Sequence, residues 1–154
     1  MPDNECLECR IVSGDFKTPG GVLLEGPNWM VVHYHPRKGI YPGRLMAVLK
    51  RHAKSLSDLT DAEAQSMAMV ARRMTRSLDA GLAPERMYML SFNEDEHVHF
   101  HILSRFKDDA IRGPNLVVQK MLVDEIGGQA EAEAMAAKLK PLLQDPQTGA
   151  GRQQ

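Results

Sequence analysis

Half of the six histidines in this 154-residue chain lie within one five-residue stretch. In the segment EHVHFHILSR they occupy every second position, as His97, His99 and His101. Such alternation is typical of a β-strand, because successive side chains of a strand point to opposite faces of the sheet. The three imidazoles therefore share one face, and the apolar side chains between them form the face that packs on the core. We expect the histidine face to be exposed or to line a cleft.

Two chemistries use such a row of imidazoles. A metal site needs neutral imidazoles that converge on one ion, whereas nucleophilic catalysis needs one attacking imidazole and neighbours that fix its tautomer or stabilise charge. His97 and His101 are four residues apart, so their Cα atoms are separated by about 13 Å at a strand rise of about 3.3 Å per residue. All three side chains therefore reach one ion only if the strand bends. The row by itself favours catalysis, or a division in which one end serves a metal.

Further metal-type ligands lie near the start of the chain, where Cys6 and Cys9 form a Cys-x-x-Cys pair. In a reducing compartment this spacing indicates a metal or redox pair before a structural disulfide. With His52 the cysteines offer three zinc-type ligands, and an end member of the histidine row offers a fourth, which would make a closed structural site. The alternative interpretation is two free thiols near a flexible terminus.

The composition is that of an ordinary globular chain. Hydrophobic residues make up 43% and charged residues 25% of the sequence, and its length suits one domain. The formal net charge of −1 gives no electrostatic reason to expect nucleic acid or a membrane surface as a partner. The sequence has no run of about 18 apolar residues, and its N-terminus lacks the basic-then-apolar order of a signal peptide. We therefore expect a cytoplasmic protein.

The elements that must position these residues follow from turn signals and hydrophobic periodicity. A short helical or turn segment carries the cysteines and ends near Gly14, and two strands joined by GPN follow it. A third strand precedes a long helix that begins at a capping box of Thr60 and Glu63 and runs to about Leu82. A fourth strand and the histidine strand, close in sequence, form an antiparallel hairpin. This order predicts an α+β fold with a five-stranded antiparallel sheet.

The C-terminal part of the chain differs in character. Residues 107–144 contain two stretches, split by Gly127 and Gly128, that predict one or two helices. Residues 145–154, DPQTGAGRQQ, are expected to be disordered. The predicted organisation is therefore a domain at 1–106, a helical extension of the same domain at 107–144, and a short tail.

These motifs resemble the histidine triad (HIT) family. The stretch HVHFHIL fits the family pattern His-φ-His-φ-His-φ-φ, in which φ is an apolar residue. Upstream, CLEC, the strand ending in LKRH, the long helix and NEDEHVHFH occur in the order that the family has. The resemblance covers residues 6–106 and leaves out the stretch after Lys107. It points to the zinc-containing Cys-x-x-Cys branch, with a shortened loop before the triad.

The resemblance implies an α+β fold with a five-stranded antiparallel sheet and one long helix, in a protein that is usually a homodimer. HIT proteins are nucleotidyl hydrolases or transferases that act at the α-phosphate of small-molecule nucleotide conjugates. By motif position, His99 is the nucleophile that forms a nucleotidyl-histidine intermediate, and His101 contacts phosphate oxygens. The resemblance also implies a structural zinc, whose ligands are Cys6, Cys9, His52 and His97.

The chain departs from the family pattern around the phosphate site. Arg44 stands where many members have a fourth histidine, and arginine is no general acid near neutral pH, although it can hold a phosphate bidentately. NEDE replaces the family's Gly-Gln-Ser loop; its acids repel a highly charged polyphosphate, while Asn93 offers a polar contact. His33 and His35 stand near the usual place of a ribose-binding aspartate, where we expect surface or loop-packing roles.

Two alternatives to a covalent nucleotidyl enzyme stay open. The first is a non-catalytic nucleotide- or zinc-binding module that retains the fold, favoured by the lost histidine, the lost aspartate and the acidic loop. The second is an enzyme that uses zinc and the histidines directly. Chelation of the metal distinguishes the second alternative, because a structural zinc predicts loss of both fold and turnover.

Overall fold

The computed structural model describes residues 6–34, 43–92, 94, 96–118 and 128–148 of the chain. Within them, the helices and strands follow one another in the order that the sequence predicts. Their bounds are α1 Leu7–Ser13, β1 Val22–Glu25, β2 Trp29–His33, β3 Leu45–Leu49, a 3-10 turn at Leu56–Asp58, α2 Asp61–Leu82, β4 Arg86–Leu90, β5 His99–Arg105, α3 Pro114–Val118 and α4 Gln129–Gln144.

The five described strands form one antiparallel sheet in the order β1-β2-β3-β5-β4. The pairing of β3 with β5 places Val48 opposite His99 and Met46 opposite His101. On the other side of β5, Leu90 of β4 pairs with His101. The predicted α+β fold, with a five-stranded antiparallel sheet and one long helix, is therefore confirmed. The histidine strand is an inner strand of this sheet, so its backbone is fixed on both sides.

One face of the sheet packs against α2 and α4, the two longest described helices. Val98 and Phe100 lie in this core, where the rings of Trp29 and Phe100 meet edge-on with 5.5 Å between their centroids. Leu139 and Leu143 of α4 are fully buried in the same cluster. The apolar residues between the histidines therefore face the core, as their alternation predicts.

The short helix α1 covers the opposite face of the sheet. Its Ile11 packs on an apolar cluster from β2 and β3, which comprises Met30, Val32, Met46 and Val48. The last two of these are the cross-strand neighbours of the paired histidines on β5. The helix ends at Gly14, which adopts the left-handed conformation with φ 82°. The segment that carries both cysteines therefore lies over the histidine-bearing face.

The start of α2 anchors the segment that follows β3. Thr60 and Glu63 form the predicted capping box, in which Glu63 N donates to Thr60 Oγ1 at 3.3 Å and Thr60 N donates to Glu63 Oε2 at 2.8 Å. Arg51 donates to both carboxylate oxygens of Glu63, at 3.0 and 2.7 Å, and these bonds lower the pKa of Glu63 to about 2. Because His52 is the next residue after Arg51, this pair restrains the backbone beside a candidate metal ligand.

The C-terminal helix α4 packs against α2 and β1. It begins at Gln129 with Gly128 as its N-cap, at the point where the sequence predicts a break between helices. Arg73 of α2 donates from Nε to the carbonyl oxygen of Leu143 at 3.0 Å and so satisfies a free carbonyl in the last turn of α4. Residues 119–127 lie outside the described residues.

The boundaries that the sequence suggested at residues 106 and 144 stay predictions. Of the expected tail, residues 149–154 lie outside the described part of the chain. None of the described helices combines the length and the apolar character needed to cross a membrane.

Candidate active site and metal centre

The three histidines of the row are buried by the elements that surround them. His97, His99 and His101 are 1%, 3% and 2% exposed, so the possibility of an open histidine face is excluded. The physical reason is that α1 packs across this side of the sheet. His99 and His101 line a cavity, whereas His97, which precedes the first residue of β5, lies in a different group of side chains. The histidine row is thus divided between two sites, a cluster of metal-type ligands that contains His97 and a cavity lined by His99 and His101.

The first site is a cluster of four potential metal ligands, Cys6, Cys9, His52 and His97. One ligand atom from each residue lies within 4.8 Å of the others. Cys6 Sγ lies 3.2 Å from His97 Nδ1, and Cys9 Sγ lies 3.2 Å from His52 Nδ1. With zinc bonds of about 2.0–2.3 Å, the ligand atoms of a tetrahedral site are about 3.5 Å apart. The cluster therefore fits a Cys₂His₂ zinc site, made of the residues that the HIT resemblance implies.

Hydrogen bonding and burial prepare the ligand atoms of this cluster. His97 Nε2 donates to the carbonyl oxygen of Leu49 at 2.8 Å, which leaves the lone pair on Nδ1, the atom nearest the cysteines. Burial lowers the pKa of His97 below its usual 6.5, so the ring is neutral, as a metal ligand must be. Burial also raises the pKa of the Cys6 thiol to about 12, so a thiolate there requires a positive charge beside it.

His99 is held in one tautomer. Its Nδ1 lies 2.8 Å from the carbonyl oxygen of His97, and since that oxygen can only accept, Nδ1 carries the proton. The lone pair of the neutral ring is then on Nε2. Ser91 Oγ donates to the carbonyl oxygen of His99 at 2.6 Å, which restrains the backbone at this point. His97 therefore links the metal cluster to the cavity, because its ring belongs to the cluster and its carbonyl oxygen orients His99.

Two buried polar atoms close to His99 make no hydrogen bond within the described residues: Arg44 Nε and His101 Nδ1. The Arg44 guanidinium lies 3.8 Å from the ring centroid of Tyr34, and the same ring meets His101 edge-on at 4.8 Å. Burial lowers the pKa of Arg44 to about 10, so the group is still charged at neutral pH. Burial, followed by the charge of Arg44, lowers the pKa of His101 well below 6.5. A buried cation with an unused donor is suited to an anion.

A cavity of about 710 Å³ contains these groups. This volume lies within the range of about 300–1,000 Å³ that is usual for small-molecule sites. Its polar groups include Arg44, the two triad histidines and two carboxylates, those of Glu8 and Glu94. Much of the remaining wall is apolar and is formed by Leu7, Met89, Leu90, Phe92, Pro114 and Val117. Such a cavity can hold a small molecule that has one anionic group and an apolar body.

The helix α3 closes one side of this cavity. Pro114 and Val117 line it, and Gly113 N donates to the hydroxyl oxygen of Tyr88 at 3.1 Å, which ties the start of α3 to β4. Leu116 is fully buried and anchors the helix. Residues that follow the triad strand therefore shape the cavity, a role that the sequence could not distinguish from a subunit or partner contact.

Two residues of this region, Glu8 and Tyr34, were not among the candidates from the sequence. Glu8 is 2% exposed, and its Oε1 lies 3.7 Å from His99 Nδ1. An acid in the first turn of a short helix looks like an ordinary solvated residue, because such positions favour negative charge. Tyr34 follows Val32 by two residues, so strand alternation alone could have placed it on the cavity side of the sheet.

The remaining sequence candidates are placed as follows. Asn93 and His35 lie outside the described residues. His33 is fully buried, accepts from Gly43 N at Nε2 (2.9 Å) and has Nδ1 2.9 Å from the carbonyl oxygen of Tyr34. It therefore has the loop-packing role that we expected and is separate from the cavity.

A metal-type cluster and two cavity histidines, joined at one strand of a five-stranded antiparallel sheet, define a histidine triad architecture. The HIT domain family matches residues 27–108, which is more than half of the chain. The chain therefore belongs to the HIT domain family. The matched region includes Arg44 and all three histidines of the triad, and it leaves out the two cysteines. No curated protein matches the chain.

Solved structures of two histidine triad proteins and of a uridylyltransferase have the same fold. A HIT-like protein involved in cell-cycle regulation from Bartonella henselae has a TM-score of 0.69 at 15% identity, over 92% of this chain and 98% of that one. A zinc-bound histidine triad family protein from Mycobacterium smegmatis has a TM-score of 0.67 at 20% identity, over 90% and 93%. A uridylyltransferase has a TM-score of 0.64 at 24% identity, over 90% of this chain and 45% of that one. Because residues 1–106 are only about two thirds of this chain, the structural likeness extends past the triad strand.

Proposed function

We propose that this protein is a nucleotidyl hydrolase or transferase that cleaves nucleotide conjugates at the α-phosphate, with His99 as the nucleophile. One observation carries the proposal. His99, oriented by the carbonyl of His97, shares a cavity of nucleotide size with Arg44 and His101, each of which has one buried nitrogen, Nε and Nδ1, without a hydrogen bond among the described residues. This arrangement combines a nucleophile with an anion site, which is what attack on a phosphoryl group requires.

In the proposed first step, Nε2 of His99 attacks the α-phosphorus, the bond to the leaving group breaks with its electron pair, and a nucleotidyl-histidine forms. Water or another acceptor then attacks phosphorus, and the electron pair of the nitrogen–phosphorus bond returns to Nε2. Arg44 meets the charge on the phosphoryl oxygens, and His101 supplies a further polar contact. Since Arg44 does not exchange protons near neutral pH, the leaving group takes any proton it needs from water.

We further propose that the metal cluster binds zinc in a structural role. Zinc would bind to the two thiolates and the two imidazoles of the cluster and supply a cross-link between α1 and the segments beside β3 and β5. None of its four ligands lines the cavity, in the part of the chain that the structure describes. This separation favours a structural ion over one that acts on the substrate.

The test is incubation with an adenylate phosphoramidate followed by mass spectrometry of the intact protein and its peptides. We expect a mass increase of one adenylate on the peptide that contains His99, and no adduct or turnover in His99→Ala. Chelation is expected to reduce turnover and thermal stability together. Loss of turnover with the fold intact would instead favour a catalytic zinc. Turnover by His99→Ala at the wild-type rate would exclude the proposed nucleophile.

A non-catalytic nucleotide-binding module is the second candidate. It is favoured by Arg44 at the place of a family histidine and by the carboxylate of Glu94 on the cavity wall. Isothermal titration with nucleoside monophosphates separates the two functions when it is combined with turnover assays on several conjugates. Measurable affinity without any adduct or turnover would support the binding module.

We also propose a homodimer formed through β4, in a cytoplasmic setting that keeps the cysteines reduced. Among the described strands, β4 pairs with β5 alone, so its outer edge is open to a second copy. Met89 on this strand is 52% exposed and adjoins a small apolar depression lined in part by Leu56 and Phe100. An open strand edge with apolar side chains is a surface for pairing. Sedimentation velocity is expected to give a dimer for the wild type and a monomer for Met89→Lys, and a monomeric wild type would contradict the proposal.

A further inference from the structure

The carboxylate of Glu8 has an unusual place beside the proposed nucleophile. Glu8 is 2% exposed, and its side chain lines the same cavity as His99. Its Oε1 lies 3.7 Å from His99 Nδ1, and its Oε2 lies 3.6 Å from Cys6 Sγ. Among the described residues, the imidazole of His99 is the one basic side chain within 4 Å of the Glu8 carboxylate, and the two form an ion pair only when the ring carries a positive charge. A buried carboxylate is costly without a positive partner, so its position next to this imidazole calls for an explanation.

The proposed covalent step creates such a positive partner. His99 begins as a neutral ring whose Nδ1 proton is bound by the carbonyl oxygen of His97. When Nε2 donates its lone pair to phosphorus and the leaving group departs with the bonding electrons, Nδ1 keeps its proton. The nucleotidyl-imidazole therefore carries one positive charge, shared between both ring nitrogens. This charge disappears when water displaces the ring and the electron pair returns to Nε2.

We propose that Glu8 is a positioning residue that balances the positive charge of His99 in the covalent intermediate. This inference rests on the proposed function and adds to it a residue from α1, outside the region that matches the HIT domain family. The carbonyl of His97 orients the ring, but it has no net charge. Glu8 supplies a negative charge beside the same ring atom, Nδ1, in a setting from which water is largely excluded.

The two chemical steps should respond to Glu8 in opposite directions. A negative charge beside the ring favours the charged intermediate over the neutral ring, so it speeds formation of the adduct. When the nitrogen–phosphorus bond breaks, the ring becomes neutral and the carboxylate loses its positive partner, so Glu8 slows breakdown of the adduct. An opposite charge within about 4–6 Å typically favours a charged form by one to three pKa units, or about 10- to 1,000-fold. Damage to the fold or to the metal cluster would slow both steps.

The experiment compares wild type with Glu8→Gln, which keeps the shape of the side chain and removes its charge. Rapid-quench mass spectrometry with an adenylate phosphoramidate measures adduct formation, and removal of the substrate followed by timed sampling measures breakdown. We expect the ratio of the formation rate to the breakdown rate to fall at least about tenfold in Glu8→Gln, with slower formation and faster breakdown. Glu8→Asp, which keeps the charge, should fall between Glu8→Gln and wild type. Glu25→Gln, at an exposed carboxylate paired with Lys50, is the matched control with unchanged rates.

Metal content and circular dichroism are measured for each variant, because Glu8 lies between two candidate zinc ligands in sequence. If Glu8→Gln loses zinc or its fold, the comparison of Glu8→Asp with wild type decides, and it must show a lower ratio of formation to breakdown. Unchanged rates, or an equal slowing of both steps in a folded variant, overturn the role of Glu8. Absence of any adduct in the wild type instead overturns the proposed function, so the two failures are distinguishable.

Discussion

Replacing Arg44 with methionine is expected to stabilise the ligand-free protein and to weaken nucleotide binding. Arg44 is 1% exposed, and its Nε makes no hydrogen bond within the described residues. Burial lowers its pKa from 12.5 to about 10. A change of this size corresponds to about 3 kcal/mol of free energy lost by the charged form. Methionine fills a similar length without charge, so it removes this cost.

The gain in stability is partly offset by the loss of the contact with Tyr34. The guanidinium carbon lies 3.8 Å from the ring centroid, and a desolvated cation–π contact is worth about 2 kcal/mol. The free energy of unfolding of Arg44→Met should therefore rise by about 1 kcal/mol, or about 2–4 °C in the thermal midpoint for a chain of this size. Affinity for adenosine monophosphate should fall about 10- to 100-fold, because a hydrogen bond to a charged group contributes about 1.5–3 kcal/mol.

Urea denaturation and isothermal titration with adenosine monophosphate measure the two effects. Arg105→Met is the matched control, because Arg105 is 3% exposed and belongs to the same face of the sheet as His101. It differs in forming an ion pair with Glu85 at 2.8 Å and in lying outside the lining of the cavity. Arg105→Met should lower stability and leave the affinity unchanged. An Arg44→Met protein that is less stable than wild type, or that binds the nucleotide equally well, would refute the reasoning.

Three further predictions concern pH, the metal and the cavity wall. Burial lowers the pKa of His101 well below 6.5, so as the pH falls the imidazole binds a proton in the unfolded chain before it does in the folded protein. The free energy of unfolding should therefore drop below about pH 6.5, by up to about 1.4 kcal/mol per pH unit. In pH-dependent denaturation, His101→Gln should lack this contribution. Removal of zinc by a chelator, or Cys9→Ser, should lower the free energy of unfolding by about 4 kcal/mol, if the free zinc concentration had been a thousandfold above its Kd. Calorimetry with and without added zinc measures this change, and an unchanged thermal midpoint contradicts a structural ion. Val117→Glu places a carboxylate on the apolar wall formed by α3 and should raise KM for a nucleotide conjugate about tenfold, with an unchanged circular dichroism spectrum. An unchanged KM would mean that α3 does not contact the substrate.

The elements of the fold could be predicted because their signals are local. Alternation assigned the histidine strand and its core face, the pair Thr60 and Glu63 marked the start of the long helix, and Gly14 marked the end of the short one. Each of these signals depends on backbone geometry within a few residues. The strand spacing also predicted that the histidines would not share one ion, which the structure agrees with, because only His97 joins the metal cluster.

The contents of the cavity depend on contacts between distant parts of the chain. Burial of the histidine face requires α1 to cross the sheet, and the pattern of α1 alone does not say where it docks. Arg44 is a phosphate candidate from its place in the motif, but only packing reveals that it stacks on Tyr34 and that its Nε is left without a partner. Glu8 has no signal in the sequence, because an acid in a first helical turn is usually solvated.

The sequence by itself therefore determined the order of helices and strands along the chain, the histidine row and, through the family motif, the set of metal-type ligands. Tertiary structure decided which groups are desolvated together. Charge and pKa depend on the surroundings within about 4–6 Å, and those surroundings come from residues far apart in sequence. Three features of this protein depend on such surroundings: the buried carboxylate of Glu8 beside His99, the buried guanidinium of Arg44 with no hydrogen bond at Nε, and the wall formed by α3.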